Sequence, residues 1–257
     1  MRIEQIDLHY QLRFHSAFHF GTGLRSGLVH RGIARNSDGF LYVPGSSVKG
    51  MLRNQATHLA HLLEIKAREP HHNSDVSEFS PKADITTMIF GSRVRPGTLF
   101  FDDAQVCPED QEFFQPKRHD HQFMLSQTET RIQVSLSRLT STARRGLLFS
   151  SEYGVPDIRF NGRIYGYLPG VPLDIDDTKT YSLILLLSAL CSLDRLGRNN
   201  SAGAGCTTCV ITRLRVNGTT IVDISPEQHD SISEGIRAYL DLLPEFEYYQ
   251  IAEEEDQ

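Results

Sequence analysis

No apolar run in this chain is long enough to cross a bilayer. The longest, Leu183 to Leu193, is closed by Asp194 and Arg195 and reads as a buried helix. The N-terminus, MRIEQIDLHY, alternates polar and apolar residues and lacks the apolar core of a signal peptide. No membrane partner is expected, and the expected location is the cytoplasm. Cysteine is scarce: four in 257 residues are too few to suggest a disulfide scaffold. Cys206 and Cys209, with Cys191, hint at a metal. At i and i+3 of an alternating strand, however, the first two face opposite ways, so buried structural cysteine and no metal site are expected. His58, His61, His71 and His72 read as a solvated helix end and a linker. There is no P-loop, dinucleotide fingerprint or Ser-His-Asp pattern, and no cofactor is expected.

Lysine is the other shortage, with 5 against 21 arginines. The formal net charge is −6, but six acids lie in the last thirteen residues, from Glu245 onward. Without that tail, acids and bases balance at 26 each. Residues 1–60 carry seven basic and three acidic residues, and residues 131–170 carry six and two. Two locally positive segments on a neutral body suit a groove that follows a nucleic-acid backbone, and the arginine fork suits phosphate.

Hydrophobic residues make up 39% of the chain, enough for one sizeable core. Ile6, Leu8, Tyr10, Leu12 and Phe14 alternate with polar residues and predict a half-buried strand. Further strands are expected at 28–34, 40–43, 97–106, 131–138, 158–168 and 207–216, the last turning at Asn217-Gly218 and continuing to Ile224. Helices are expected from Val48 to Leu63, capped by Ser46 or Ser47, and from Asp177 to Leu196. A third should start at Ser225-Pro226-Glu227-Gln228, a capping-box pattern. Residues 107–127 read as irregular, 66–85 as a mobile insertion, 139–152 as a polar excursion and 244–257 as a disordered acidic tail. The order predicts an α+β fold, an antiparallel sheet with helices on one face, in one domain over 1–243.

Three segments carry chemistry. Pro44-Gly45-Ser46-Ser47-Val48-Lys49-Gly50 leads through to Arg53 and opens a helix, whose first turn offers free N–H groups to an anion. A bland alternative is a capped helix with a solvated Lys49. The stretch Gly197 to Gly205 lets backbone amides approach an anion closely, or is a simple helix end. Between them, Arg138, Arg144 and Arg145 stand among hydroxyls, either as a solvated hairpin tip or as phosphate contacts.

Together and in order, these segments resemble the RAMP superfamily (repeat-associated mysterious proteins) of CRISPR systems, most closely the repeated backbone subunits of type III effector complexes. Pro44 to Arg53 is similar to the family's Pro-Gly-Ser-Ser-x-Lys-Gly-x-x-Arg motif. Arg138, Thr140 and the tip at Thr142 to Leu148 resemble its thumb, set at 138–152. Gly197, Arg198, Ser201, Gly203 and Gly205 resemble its C-terminal glycine-rich loop. The resemblance covers roughly residues 3–216. It implies a modified ferredoxin-like core of the RNA-recognition-motif type, with a thumb hairpin and insertions. It also implies a subunit that holds guide RNA, touches the guide–target duplex and packs on other effector subunits in antiviral defence. The RNA-binding residues it implies are Gly21, Thr22, Gly23, Ser46, Ser47, Lys49, Arg53, Arg138, Thr140, Arg144, Arg145, Arg198, Asn199, Ser201, Gly203 and Gly205. One position departs from the pattern: His30 stands where many such subunits carry an aspartate linked to metal-dependent target cleavage, and Asp38 is a poor substitute. Imidazole is a weak ligand for Mg²⁺, so the expectation leans away from an enzyme. The alternative is a guide-processing endoribonuclease of the same superfamily with His30 as general base. A third reading is an assembly protein that does not touch RNA.

Overall fold

The computed structural model describes residues 2–23, 31–65, 67, 84–92, 95–114, 126–173, 178–225 and 232–247, the side chains of 145–147 excepted. The N-terminal alternation becomes β1 (Arg2–Phe14), which runs through the middle of the main sheet. Its five apolar positions all turn into the core, at 1% exposure or less. β1 pairs antiparallel with β7 (Arg159–Gly170) and β8 (Thr207–Val216). Beyond β8 lies β9 (Thr219–Asp223), and beside β7 lie β3 (Leu99–Phe101) and β4 (Ala104–Val106). The two-residue β2 (Tyr42–Val43) closes that edge against β4.

Two helices cover the inner face. In α1 (Gly45–Leu62), Val48, Leu52, Ala56 and Ala60 recur at helical spacing and are fully buried. In α4 (Tyr181–Cys191) every residue from Tyr181 to Leu190 is buried, which is why it has almost no polar face. Stripped of additions, the chain runs strand, helix, strand, strand, helix, strand, with sheet order β4, β7, β1, β8. The fold is α+β and ferredoxin-like. Among the described residues, three short α-helices complete it: α2 (Ile85–Phe90), α3 (Pro108–Phe114) and α5 (Glu234–Leu240). A second, two-stranded sheet, of β5 (Thr128–Leu136) and β6 (Ala143–Gly154), forms a long hairpin.

Several expectations need correcting. The polar excursion expected over 139–152 is, from Ala143 on, the strand β6, register-paired from Thr128↔Gly154 to Leu136↔Ala143. Much of this strand is solvated, so it carries no apolar alternation to read. The expected strand over 97–106 is broken at Asp102-Asp103, because Asp103 turns aside to accept the Gly45 N–H at 2.8 Å. Residues 107–127 are not all irregular, since α3 starts at Pro108 with Glu109 and Asp110 in its first turn. The part of 28–34 that is described makes only isolated bridges, such as Gly21↔Ile33 and Arg31↔Ser151. Neither Ser46 nor Ser47 caps α1; the capping position is Pro44, with no side-chain bond. The α4 helix starts four residues later than expected, where Thr180 accepts from Leu183 N at 3.3 Å. The last helix is capped by Ser233, not Ser225. Pro226 to Gln228, most of 66–85 and the tail from 248 lie outside the described residues.

Candidate nucleic-acid interface

The start of α1 sits directly on the turn between β3 and β4. A Cβ on Gly45 would lie 2.1 Å from Phe101 O, so only glycine allows this approach. The Asp103 carboxylate takes the first N–H and lies at the positive end of the helix dipole. The sequence suggested an external anion here; the structure supplies one from the chain itself. Successive residues turn by about 100° along the helix, which splits the motif between two faces. Lys49 and Arg53, four apart, share one. The Lys49 ammonium lies 5.5 Å over the Phe101 ring, and burial, with Arg53 nearby, holds its pKa below the usual lysine value. Arg53 Nη1 donates to Gly91 O at 2.8 Å, tying α1 to the end of α2.

Ser47, Gly50, Met51 and Asn54 share the other face, and it opens on a groove of about 410 Å³. Its remaining walls are His19, Phe20 and Gly21, which follow β1, and Leu196, Gly197 and Arg198, which follow α4. The structure thus brings Gly21, Ser47 and Arg198 together from three separate stretches of sequence. Thr22 and Gly23 are exposed beside Gly21. Ser46 is exposed on α1.

The glycine-rich loop is shaped by its own bonds. Arg198 N donates to His19 O at 3.0 Å, Gly205 N to Ala17 O at 2.9 Å and Leu196 N to Gly205 O at 2.8 Å. Gly205 has φ +72°, and a Cβ there would lie 2.2 Å from Leu196 O. Asn199 is left-handed at φ 61° and its amide donates to the Tyr153 hydroxyl. Ser201 and Gly203 are exposed on the outer turn, and Arg198 is exposed at the groove edge.

His19, absent from the expected set, is the most constrained polar group in the groove. The residue is 2% exposed, and its Nδ1 lies 2.6 Å from Glu152 O. Glu152 is itself fixed. Its carboxylate pairs with Arg35 at 2.5 Å and accepts from Thr128 Oγ1 at 2.8 Å and Ile33 N at 3.2 Å. Burial lowers the His19 pKa, and the Arg198 and Arg31 charges lower it further. Consecutive residues of β6, Glu152 and Tyr153, therefore hold His19 and the glycine-rich loop. Gly50, Met51 and Asn54 could have been found from their i+3, i+4 and i+7 spacing to Ser47. His19 follows an irregular Ser-Ala-Phe stretch and gave no periodic signal.

The residues expected to form a thumb stand elsewhere. Arg138 and Thr140 lie in the hairpin tip between Leu136 and Ala143, where Thr140 and Thr142 hydroxyls meet at 2.8 Å. Leu139 at the tip is 96% exposed. Arg144 is exposed on β6, and the Arg145 side chain lies outside the described residues, as does His30. Burial pushes the Cys191 thiol up to about 11 and raises Cys209 as well. Both line a mainly apolar cavity of about 310 Å³ between α4, β8 and α5. Cys206 precedes β8 instead of lying in it.

A family model described as the RAMP superfamily matches residues 11–207. Among solved structures, a chain from "Cryo-EM structure of the Type III-B Cmr-beta bound to cognate target RNA" superposes with a TM-score of 0.52 and 12% sequence identity. The match covers 82% of this chain and 97% of that one. At such identity the likeness is one of fold. No curated protein sequence matches.

Proposed function

The chain belongs to the RAMP superfamily, and on that footing we propose that it is an RNA-binding backbone subunit of a type III CRISPR effector ribonucleoprotein. It holds guide RNA in the groove and offers the β5–β6 hairpin to the guide–target duplex. One observation carries this reading: Gly21, Ser47 and Arg198, from three distant segments, line one groove together with Gly50 and Gly197. Such surfaces approach phosphate closely and carry little sequence preference. The likeness to a chain of an RNA-bound type III-B complex agrees with it.

The experiment is binding of single-stranded RNA of about 16 nucleotides by the purified chain, followed by anisotropy. Arg198→Glu and Ser47→Glu should each weaken binding about tenfold or more, by charge reversal at the edge and a like charge on the groove wall. No RNA association at low salt, or indifference to both changes, would favour an assembly protein with no direct RNA contact. With His30 at the position of the relatives' aspartate, the assembled complex should not cut target RNA through this subunit by a Mg²⁺-dependent route. EDTA-sensitive cutting abolished by His30→Ala would overturn that part.

A further inference from the structure

We propose that His19 Nε2 accepts a hydrogen bond from a ribose 2′-hydroxyl lying in the groove, and so makes the site selective for RNA over DNA. This rests on the reading that the groove holds RNA. The tautomer follows from the geometry. Glu152 O can only accept, so the Nδ1 that lies 2.6 Å from it carries the ring proton. In a neutral imidazole the other nitrogen then holds a lone pair. Nε2 has no hydrogen-bond partner among the described residues. It lies beside Gly21 on the groove wall, where a Cβ on Gly21 would come within 2.9 Å of it. The residue is almost wholly buried, and it lines the groove.

An acceptor open to the groove takes its donor from whatever fills the groove. The phosphates and deoxyribose of DNA have none to give, whereas each ribose carries a 2′-hydroxyl that both donates and accepts. The neutral form is also the favoured one. Burial opposes the imidazolium, and Arg198 and Arg31 add positive charge nearby. Because Glu152 is pinned by Arg35 and Thr128, the ring is oriented before any ligand arrives. Gly21 leaves the nitrogen uncovered, which gives its missing side chain a purpose beyond backbone freedom.

The test compares three strands of one sequence on the full chain: RNA, DNA, and RNA with 2′-fluorine at every sugar, which cannot donate. The expected result is about tenfold tighter binding of RNA than of either other strand, the worth of one hydrogen bond. His19→Phe should bring RNA down to the DNA level. That change also leaves Glu152 O without its donor, so Gly21→Ala serves as a second variant. It keeps the Nδ1 bond, sets a methyl against Nε2, and should erase the same preference. Equal binding of all three strands by the unaltered chain, or a preference that survives both variants, would overturn the inference and leave RNA binding intact. Failure to bind any strand would sink the functional reading and this inference with it. Strand scission lost in His19→Phe would replace the acceptor role with that of a general base.

Discussion

Gly45 shows what a single position can demand. From the sequence, Pro-Gly-Ser-Ser marked a helix start with room for an anion. The reason for the glycine lies 56 residues downstream in Phe101 O, and the anion is Asp103. Nothing local could have revealed either, because the approach of the β3–β4 turn to α1 is a tertiary event. Gly45→Ala should cost about 1–3 kcal/mol by overpacking against a backbone oxygen that cannot rotate away. Asp103→Ala should cost about 0.5–2 kcal/mol through the lost cap. Denaturant midpoints of the two variants measure both. Glu4 makes a different case. It is fully buried, accepts from Thr180 Oγ1 at 2.6 Å through Oε2, and leaves Oε1 without a partner. Burial raises its pKa from the ordinary value of 4.5. Its contribution to stability is therefore fully present below 4.5 and is lost as pH rises through the raised value. Glu4→Gln removes the charge, so the variant should gain on the wild type as pH climbs above 4.5. A stability difference that stays flat or shrinks with rising pH would contradict this.

The helix α1 was legible as a helix and as a carrier of chemistry, but its motif was read as one patch. The turn of about 100° per residue puts Ser47 and Lys49 nearly opposite each other, so the groove takes Ser47, Gly50 and Asn54 while Lys49 and Arg53 serve the packing of α1 on β3 and α2. Of the hairpin, β5 was legible as a strand in the alternation of Ile132, Val134 and Leu136, whereas β6 was not. The outer part of the hairpin exposes Ile132, Val134, Leu136 and Leu148 to solvent, so the alternation in β5 marks a strand without marking a core face. Its base, in contrast, is fastened to the groove through Glu152 and Tyr153. These halves should separate by experiment. Leu136 and Ala143 are register partners, so Ser137–Thr142 can be replaced by Asn-Gly, which closes a two-residue turn. Stability should change by less than about 0.5 kcal/mol, single-stranded RNA should bind as before, and engagement of a guide–target duplex should change. Glu152→Ala should instead cost about 3 kcal/mol, since it removes the carboxylate that balances the mostly buried Arg35 charge, and should weaken RNA binding by loosening His19. If the tip replacement abolished single-strand binding, tip and groove would not be independent.

Charge decides how the chain as a whole can hold a polyanion. Outside its acidic last thirteen residues the protein is electrically neutral, so attraction cannot come from net charge and must come from where a few arginines stand. The core fold was readable because Ile6 to Phe14 and Val48 to Ala60 each satisfy one local period and Tyr181 to Leu190 is an unbroken, mostly apolar run. The groove was not, because it is a meeting of chain segments some 30 to 180 residues apart, and sequence periodicity carries no information about such meetings. The same fact sets the salt dependence. A groove with Arg198 exposed at its edge and Lys49 and Arg53 turned to another face neutralises only a few phosphates. For single strands the log–log slope is roughly −0.7 per phosphate neutralised, so a shallow slope of about −2 to −3 is expected. Arg198→Ala should make it shallower by about 0.7 and weaken all sequences alike. Lys49→Ala, whose ammonium is engaged with Phe101, should leave the slope nearly unchanged. His19→Phe should lower affinity for RNA at every salt concentration without altering the slope, because an uncharged hydrogen bond releases no counterions. Titrations at four or five ionic strengths distinguish these cases. A Lys49 effect larger than that of Arg198 would move the phosphate track from the groove to the opposite face of α1, and the placement argued from Ser47 and Gly50 would fall with it.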